Sequence, residues 1–277
     1  MFTLACNEKP SELTKIPKGP DNYDPNLAWS NSNNPYDTIG DFHNQGLDYC
    51  LNFSEYFQCS DSILFRDQII EQTSDFCCSL GWYTPEDSCS YYCEDYALNA
   101  ILFRQEYTIT EMIEYSAIDN DSKNEMLDLI SIVEENTDSN NINLLYNAIK
   151  GWESDVINSN YSVGCKKQLL GSSSVLRYSL HYWNTQRLLG EESLWILPCD
   201  VSKMGYKNGR IQNWFTDVID FVCDNWDGIL VTAVADADGF YYGAGLDKQP
   251  QQEPNWLGGV ICGVALSVAT AEAWPWK

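Results

Sequence analysis

Residues 34–51, NPYDTIGDFHNQGLDYCL, decide how the chain is read. Asn34-Pro35 is a helix-start signal: the asparagine side chain offers an N-cap oxygen, and proline at the first helical position lacks only an amide hydrogen that has no intrahelical partner there. Behind it Ile39, Leu47, Cys50 and Leu51 recur at helical spacing, with Asp37, Asp41, Asn44 and Asp48 on the other side. His43 follows Ile39 by four and precedes Leu47 by four, which puts it on the apolar side. The stretch predicts a first helix packed on a core.

Helix signals continue downstream. Thr84-Pro85-Glu86-Asp87 repeats the start signal, and Thr108 with Glu111 and Ser122 with Glu125 have capping-box spacing. Further helices fit 61–79, 139–158 and 173–189, while Leu194-Trp195-Ile196-Leu197 reads as a short strand inside a loop-like 190–212 stretch. The expected fold class is all-α: a multi-helix globular domain over 34–277 ending in a small-residue helical hairpin, preceded by an extended N-terminal stalk. A chain of 277 residues with 44% hydrophobic side chains is long enough to bury such a core.

Charge removes whole classes of partner. With 40 acidic and 16 basic side chains the formal charge is −24, and no cationic surface for a phosphate backbone can be built from it. Nucleic-acid binding is excluded.

The N-terminus reads as an anchor and a tether. Met1-Phe2-Thr3-Leu4-Ala5-Cys6 looks like the end of a bacterial lipoprotein signal, a small residue followed by the cysteine that would carry the lipid, so the chain is read as begun inside its leader. Pro10, Pro17, Pro20, Pro25 and Pro35 then fall among Asn, Asp, Ser and Lys, which is linker chemistry. Residues 1–33 are therefore assigned to signal remnant and stalk, and a lipid on Cys6 would hold the body off a membrane surface.

Small residues organise the C-terminal third. Ala235, Gly239 and Gly243 step by four, as do Gly259, Gly263, Ser267 and Ala271, and such ladders let helix backbones approach closely. They predict an antiparallel hairpin of about 214–244 with 255–272, its small faces meeting each other or a third helix. The row Asp217, Asp220, Asp224 and Asp227 is read as a solvated acidic face, and the spacing of Asp236, Asp238 and Gly239 does not fit a calcium loop, so no metal and no cofactor is expected. Asp236 lies half a helical turn from Asp227 and would be partly buried, which requires a partner. His43 is the proposed one; the competing reading has His43 on a backbone carbonyl and Asp236 capping a helix end. His181 shares a face with Arg177 and Asn184 and is expected in solvent.

The opening block (Asn34-Pro35-Tyr36-Asp37, Ile39-Gly40, His43-Asn44, Gly46-Leu47-Asp48-Tyr49) resembles that of a group of uncharacterised secreted lipoproteins of Bacteroidota. Two further blocks are similar: Leu170-Gly171-Ser172-Ser173-Ser174-Val175 with Arg177-Tyr178-Ser179 and Tyr182-Trp183, and Ala235 to Gly239 with Gly243 and Trp256-Leu257-Gly258-Gly259. The resemblance implies an exported, lipid-anchored protein at the outer membrane or cell surface, touching the membrane through its anchor alone. It implies no activity.

Catalytic signatures are missing: there is no G-x-S-x-G elbow, P-loop, G-x-G-x-x-G or H-E-x-x-H. Cys50, Cys59, Cys77, Cys78, Cys89 and Cys93 lack zinc spacing and are read as disulfide partners if the domain is exported, with free buried thiols as the alternative. The expected function is a surface-tethered binding or structural protein with a protein or carbohydrate ligand. An exported hydrolase using an Asp/His site, and a toxin-like or immunity-like partner protein, are the alternatives.

Overall fold

The computed structural model describes residues 24–52, 62–80, 109–115, 120–136 and 141–189, together with 233, 234, 236, 237, 239–241, 243, 259, 260, 262–264 and 267. Six helices are continuous: α1 (Thr38–Asn52), α2 (Ser62–Ser79), α3 (Ile109–Tyr115), α4 (Asn120–Glu135), α5 (Ile142–Asn158) and α6 (Val163–Leu189). The described residues of 233–243 and 259–267 are helical as well, and no strand occurs among the described residues. This is the all-α class. The signals at 84–87 and Thr108, the 190–212 stretch and the acidic row at 217–227 lie outside the described residues.

The centre of the fold is α6. Every residue from Gln168 to Leu180 is buried, and a helix covered all round has neighbours on every side. It begins at Val163, ten residues before the sequence reading starts it. Its Ser172 hydroxyl donates back to the carbonyl of Gln168 at 2.9 Å, so a small polar side chain satisfies itself inside the helix while allowing close approach. Helix α1 packs along α6 more extensively than any other described pair, and α5 packs on it from another side.

Helix α1 buries Ile39, Phe42, His43, Leu47 and Cys50, one stripe at steps of three and four. It starts at Thr38, not at Pro35: Asn34 Oδ1 accepts from the Tyr36 amide at 2.9 Å, and Asp37 and Ile39 amides bond back three residues, so a tight turn precedes the helix. Asp37, expected on the polar side, is consequently buried. Gly40 is where α1 meets α6, for a Cβ there would stand 2.5 Å from both the Ser174 carbonyl oxygen and the Tyr178 ring. In α4, Ser122 lies two residues inside the helix and accepts from the Tyr241 hydroxyl at 3.0 Å, while Glu125 accepts from Tyr161; neither forms the expected capping box.

The C-terminal stretches run antiparallel. A Cβ on Gly259 would meet the Phe240 ring at 2.7 Å and one on Gly263 the Asp236 carbonyl at 3.2 Å, so contact moves down one stretch by four as it moves up the other by four. The face that Gly259 and Gly263 receive carries Asp236 and Phe240, so of the two expected arrangements the small faces do not meet each other at these positions. The reason is steric: a glycine hollow is best filled by a large side chain, and Phe240 fills it. Gly239 and Gly243 are buried; Ala235 and Ala271 lie outside the described residues.

The folded body also reaches upstream of Asn34. Ser30 and Asn31 are buried, Lys150 Nζ donates to the Ala28 carbonyl at 2.6 Å, and Trp29 stacks on His181 with ring centroids 3.2 Å apart and planes 10° from parallel. Residues 28–33 therefore belong to the packed domain and not to the stalk.

Candidate functional site

Two buried polar clusters flank α6. The first is built on Arg177, whose side chain has no exposure. Its Nε and Nη2 donate to Glu153 Oε1 at 3.2 and 2.9 Å, Nη2 also donates to Asp37 Oδ1, and Nη1 donates to the Trp29 carbonyl. Glu153 comes from α5, within the stripe Leu145, Tyr146, Ile149, Trp152 and Val156. Its remaining acceptor capacity is filled by Ser173 at 2.6 Å, Asn34 at 2.8 Å and Asn31 at 2.6 Å. Asp37 Oδ2 accepts from the Asn31 amide at 2.9 Å and the Tyr178 hydroxyl at 3.3 Å.

Two carboxylates against one guanidinium leave one negative charge, which these donors and the nearby half-buried Lys150 offset. Burial alone would push the Arg177 pKa down; attraction to Glu153 and Asp37, with their hydrogen bonds, raises it overall. The cluster ties the 29–37 segment to α5 and α6.

The second cluster lies on the next faces of α1 and α6. Asp236 Oδ2 accepts from the Ser179 hydroxyl, from Ser267 at 3.0 Å and from the Trp183 indole at 3.4 Å, and stands 3.6 Å from His43 Nε2. Burial raises the Asp236 carboxyl to about 7 against the pull of the Ser179, Ser267 and Trp183 hydrogen bonds. Burial lowers His43 to about 4 against the Asn44 side chain and the Gly263 carbonyl. That carbonyl favours the charged ring, while Nε2, like Asp236 Oδ1, makes no hydrogen bond. Two residues 193 positions apart in sequence thus share a dry junction of four helical segments.

The chemistry available here is limited by order and access. A hydrolytic triad needs a hydroxyl that hands its proton to the imidazole. Here Ser179 and Ser267 point their protons at the carboxyl, and His43, Asp236, Ser179 and Ser267 have no exposure at all. Among the described residues no group of three or more His, Cys, Asp or Glu side chains could hold a metal ion.

Of the residues singled out in the sequence, His43, Asp236, Gly263 and Ser267 come together. Cys6 lies outside the described residues. His181 is not in solvent: it is half-buried beneath Trp29, and burial lowers it to about 4. Sequence reasoning missed Arg177 and Glu153. A signal for Glu153 was present, since it interrupts the apolar stripe of α5; Arg177 gave none, because the small residues around it carry no period. Cys50, Cys77, Cys165 and Cys262 are buried and carry no disulfide. The disulfide expectation therefore fails for Cys50 and Cys77, which pack in the apolar core instead.

Comparison with protein-family models, with curated proteins and with solved structures found no match. Among the described residues no helix is long and apolar enough to cross a membrane.

Proposed function

We infer that the protein is a surface-tethered bacterial lipoprotein whose helical body binds a ligand or supports a surface structure, and that the two polar clusters of the described residues serve the fold. One observation carries the structural part: both polar clusters are buried, and Arg177, Glu153, Asp37, Ser179 and Ser267 are bonded to partners within the fold. An enzyme keeps its reacting groups reachable; these groups join helices. The hydrolase alternative loses its best acid and imidazole to that role.

The tether reading is supported by the Ala5-Cys6 pair, the proline-bearing run after it and the resemblance of the 34–49 block to secreted lipoproteins. A disulfide at Cys78 would fit an oxidising compartment. The body is fastened from Ala28 onward, so about 22 residues separate it from Cys6, a reach of at most about 75 Å. A surface charge of the same sign as an anionic membrane favours an extended stalk over a body lying on the headgroups.

The test is expression from the complete upstream reading frame in a bacterial host, followed by intact-mass analysis of the membrane fraction before and after reduction. A mass for cleavage before Cys6 plus acyl chains, with about two daltons gained per disulfide, supports the reading. An unlipidated protein in the soluble fraction overturns it.

A further inference from the structure

The hydrogen bonds around His43 fix its tautomer. Asn44 Nδ2 donates to the Tyr178 carbonyl at 2.9 Å, and a carbonyl can only accept, so the amide is oriented with Oδ1 toward His43. Oδ1 lies 3.1 Å from His43 Nδ1, and it too can only accept. Nδ1 therefore carries a hydrogen. In a neutral ring that leaves Nε2 as a bare lone pair 3.6 Å from Asp236 Oδ2, with no water-accessible surface on either side chain.

A lone pair and an ionised carboxylate cannot face each other unscreened at that distance. The pair must hold one more proton, either on the ring, giving an ion pair, or on the carboxyl, giving two neutral groups. Three donors already converge on Oδ2, but Nε2 and Oδ1 have no hydrogen-bond partner, so an ion pair here would be under-solvated on both sides. Separated charge in a dry junction is the dearer arrangement.

We propose that Asp236 and His43 fold as a neutral carboxylic acid–imidazole pair that latches the two C-terminal helical stretches to α1 and α6 with no net uptake or release of protons. The groups facing it are few. Helix α1 contributes His43 itself and the uncharged Asn44; α6 contributes Ser179 and Trp183; the 259–267 stretch contributes Ser267 and the Gly263 backbone. Arg177, two residues from Ser179, is engaged by Glu153 and Asp37.

The proton balance closes. In the unfolded chain between about pH 4 and 6.5, Asp236 is a carboxylate and His43 an imidazolium. On folding one ring N–H bond breaks, its electron pair staying on nitrogen, and an O–H bond forms on the carboxyl. The proton moves between the two residues, and the solvent supplies none. The junction thereby stays closed at constant strength across that range, where either residue alone would open it in one direction of pH.

The test is ¹⁵N NMR of the histidine rings in the full chain, with the infrared carboxylic-acid stretch as a second readout. The expected result is a His43 ring with protonated Nδ1 and bare Nε2, unchanged from pH 6.5 to 5, and an acid band at pH 6 that Asp236→Asn removes. A His43 ring protonated on both nitrogens at pH 6 overturns the proposal, as does an acid band that survives in Asp236→Asn. The NMR readout needs no variant, so a failure of Asp236→Asn to fold leaves the test decisive.

Discussion

A Cβ on Gly263 would stand 3.2 Å from the Asp236 carbonyl oxygen, so the two C-terminal stretches touch backbone to backbone beside the His43 ring. Gly263→Ala must spread them by a few tenths of an ångström and should cost about 1–2 kcal/mol. Gly40→Ala meets the Ser174 carbonyl and the Tyr178 ring at 2.5 Å, neither of which can retreat, and should cost about 3 kcal/mol or more. Gly151 on α5 is exposed with nothing within 4 Å of an added Cβ, and Gly151→Ala should gain about 0.5–1 kcal/mol. Urea midpoints at constant slope order the three variants. Equal losses at Gly40 and Gly151 would refute the packing described.

The acid–imidazole pair makes opposite predictions for its two halves. Asp236 alone, its folded pKa raised from 3.8 to about 7, contributes stability that is complete below 3.8 and falls as pH rises toward 7. His43 alone, its folded pKa lowered from 6.5 to about 4, contributes stability that is complete above 6.5 and falls as pH drops toward 4. Relative to the unaltered protein, His43→Gln should lose stability with rising pH between 4.5 and 6.5, and Asp236→Asn should lose it with falling pH. Each slope should approach about 1.4 kcal/mol per pH unit. Unfolding curves at four pH values measure this, and parallel slopes in the two variants would exclude the pair.

Cys50 is buried, its thiol shares a 3.6 Å contact with Thr73, and burial pushes its pKa up to about 12. Alkylation requires the thiolate and a path to it. In the native protein at pH 8, iodoacetamide should leave Cys50 unmodified over hours, while unfolding in urea exposes it within minutes. Rapid native labelling, read by peptide mass, would mean that α1 and α2 separate readily.

Trp29 covers His181, and burial holds that ring near 4. Removing the indole readmits water, so Trp29→Ala should move the His181 titration up toward the ordinary 6.5. The NMR pH titration of the ring protons reads it directly. An unmoved midpoint would show that some other group buries His181 and that the 28–33 segment is not what seals this side of α6.

The sequence carried the helices with strong periods, α1 and α5, because apolar residues at steps of three and four can be seen without knowing what they face. It also carried the meeting of His43 with Asp236, since a polar residue on an apolar stripe needs a buried partner and few were on offer. The early start of α6 was hidden because Gly171-Ser172-Ser173-Ser174 reads as a break, whereas those small side chains are what allow Gly40 of α1 to touch the helix. Residues 28–33 read as linker for a related reason. Their contribution comes from hydrogen bonds to Asp37 six residues on and to Glu153 far along the chain, and single-sequence periodicity does not register such polar pairing.

The central claim is that the buried charges of this protein are architecture, and Arg177 tests it most directly. Arg177→Met strands the Glu153 and Asp37 carboxylates inside the fold and should cost about 3–5 kcal/mol. Combined with Glu153→Gln, the loss should fall short of the sum of the two single losses by about 1–3 kcal/mol, since the second change removes a charge the first left uncompensated. That coupling, measured by urea unfolding of the four proteins of the cycle, is the predicted result. An Arg177→Met variant within about 0.5 kcal/mol of the unaltered protein, or strictly additive losses, would contradict it.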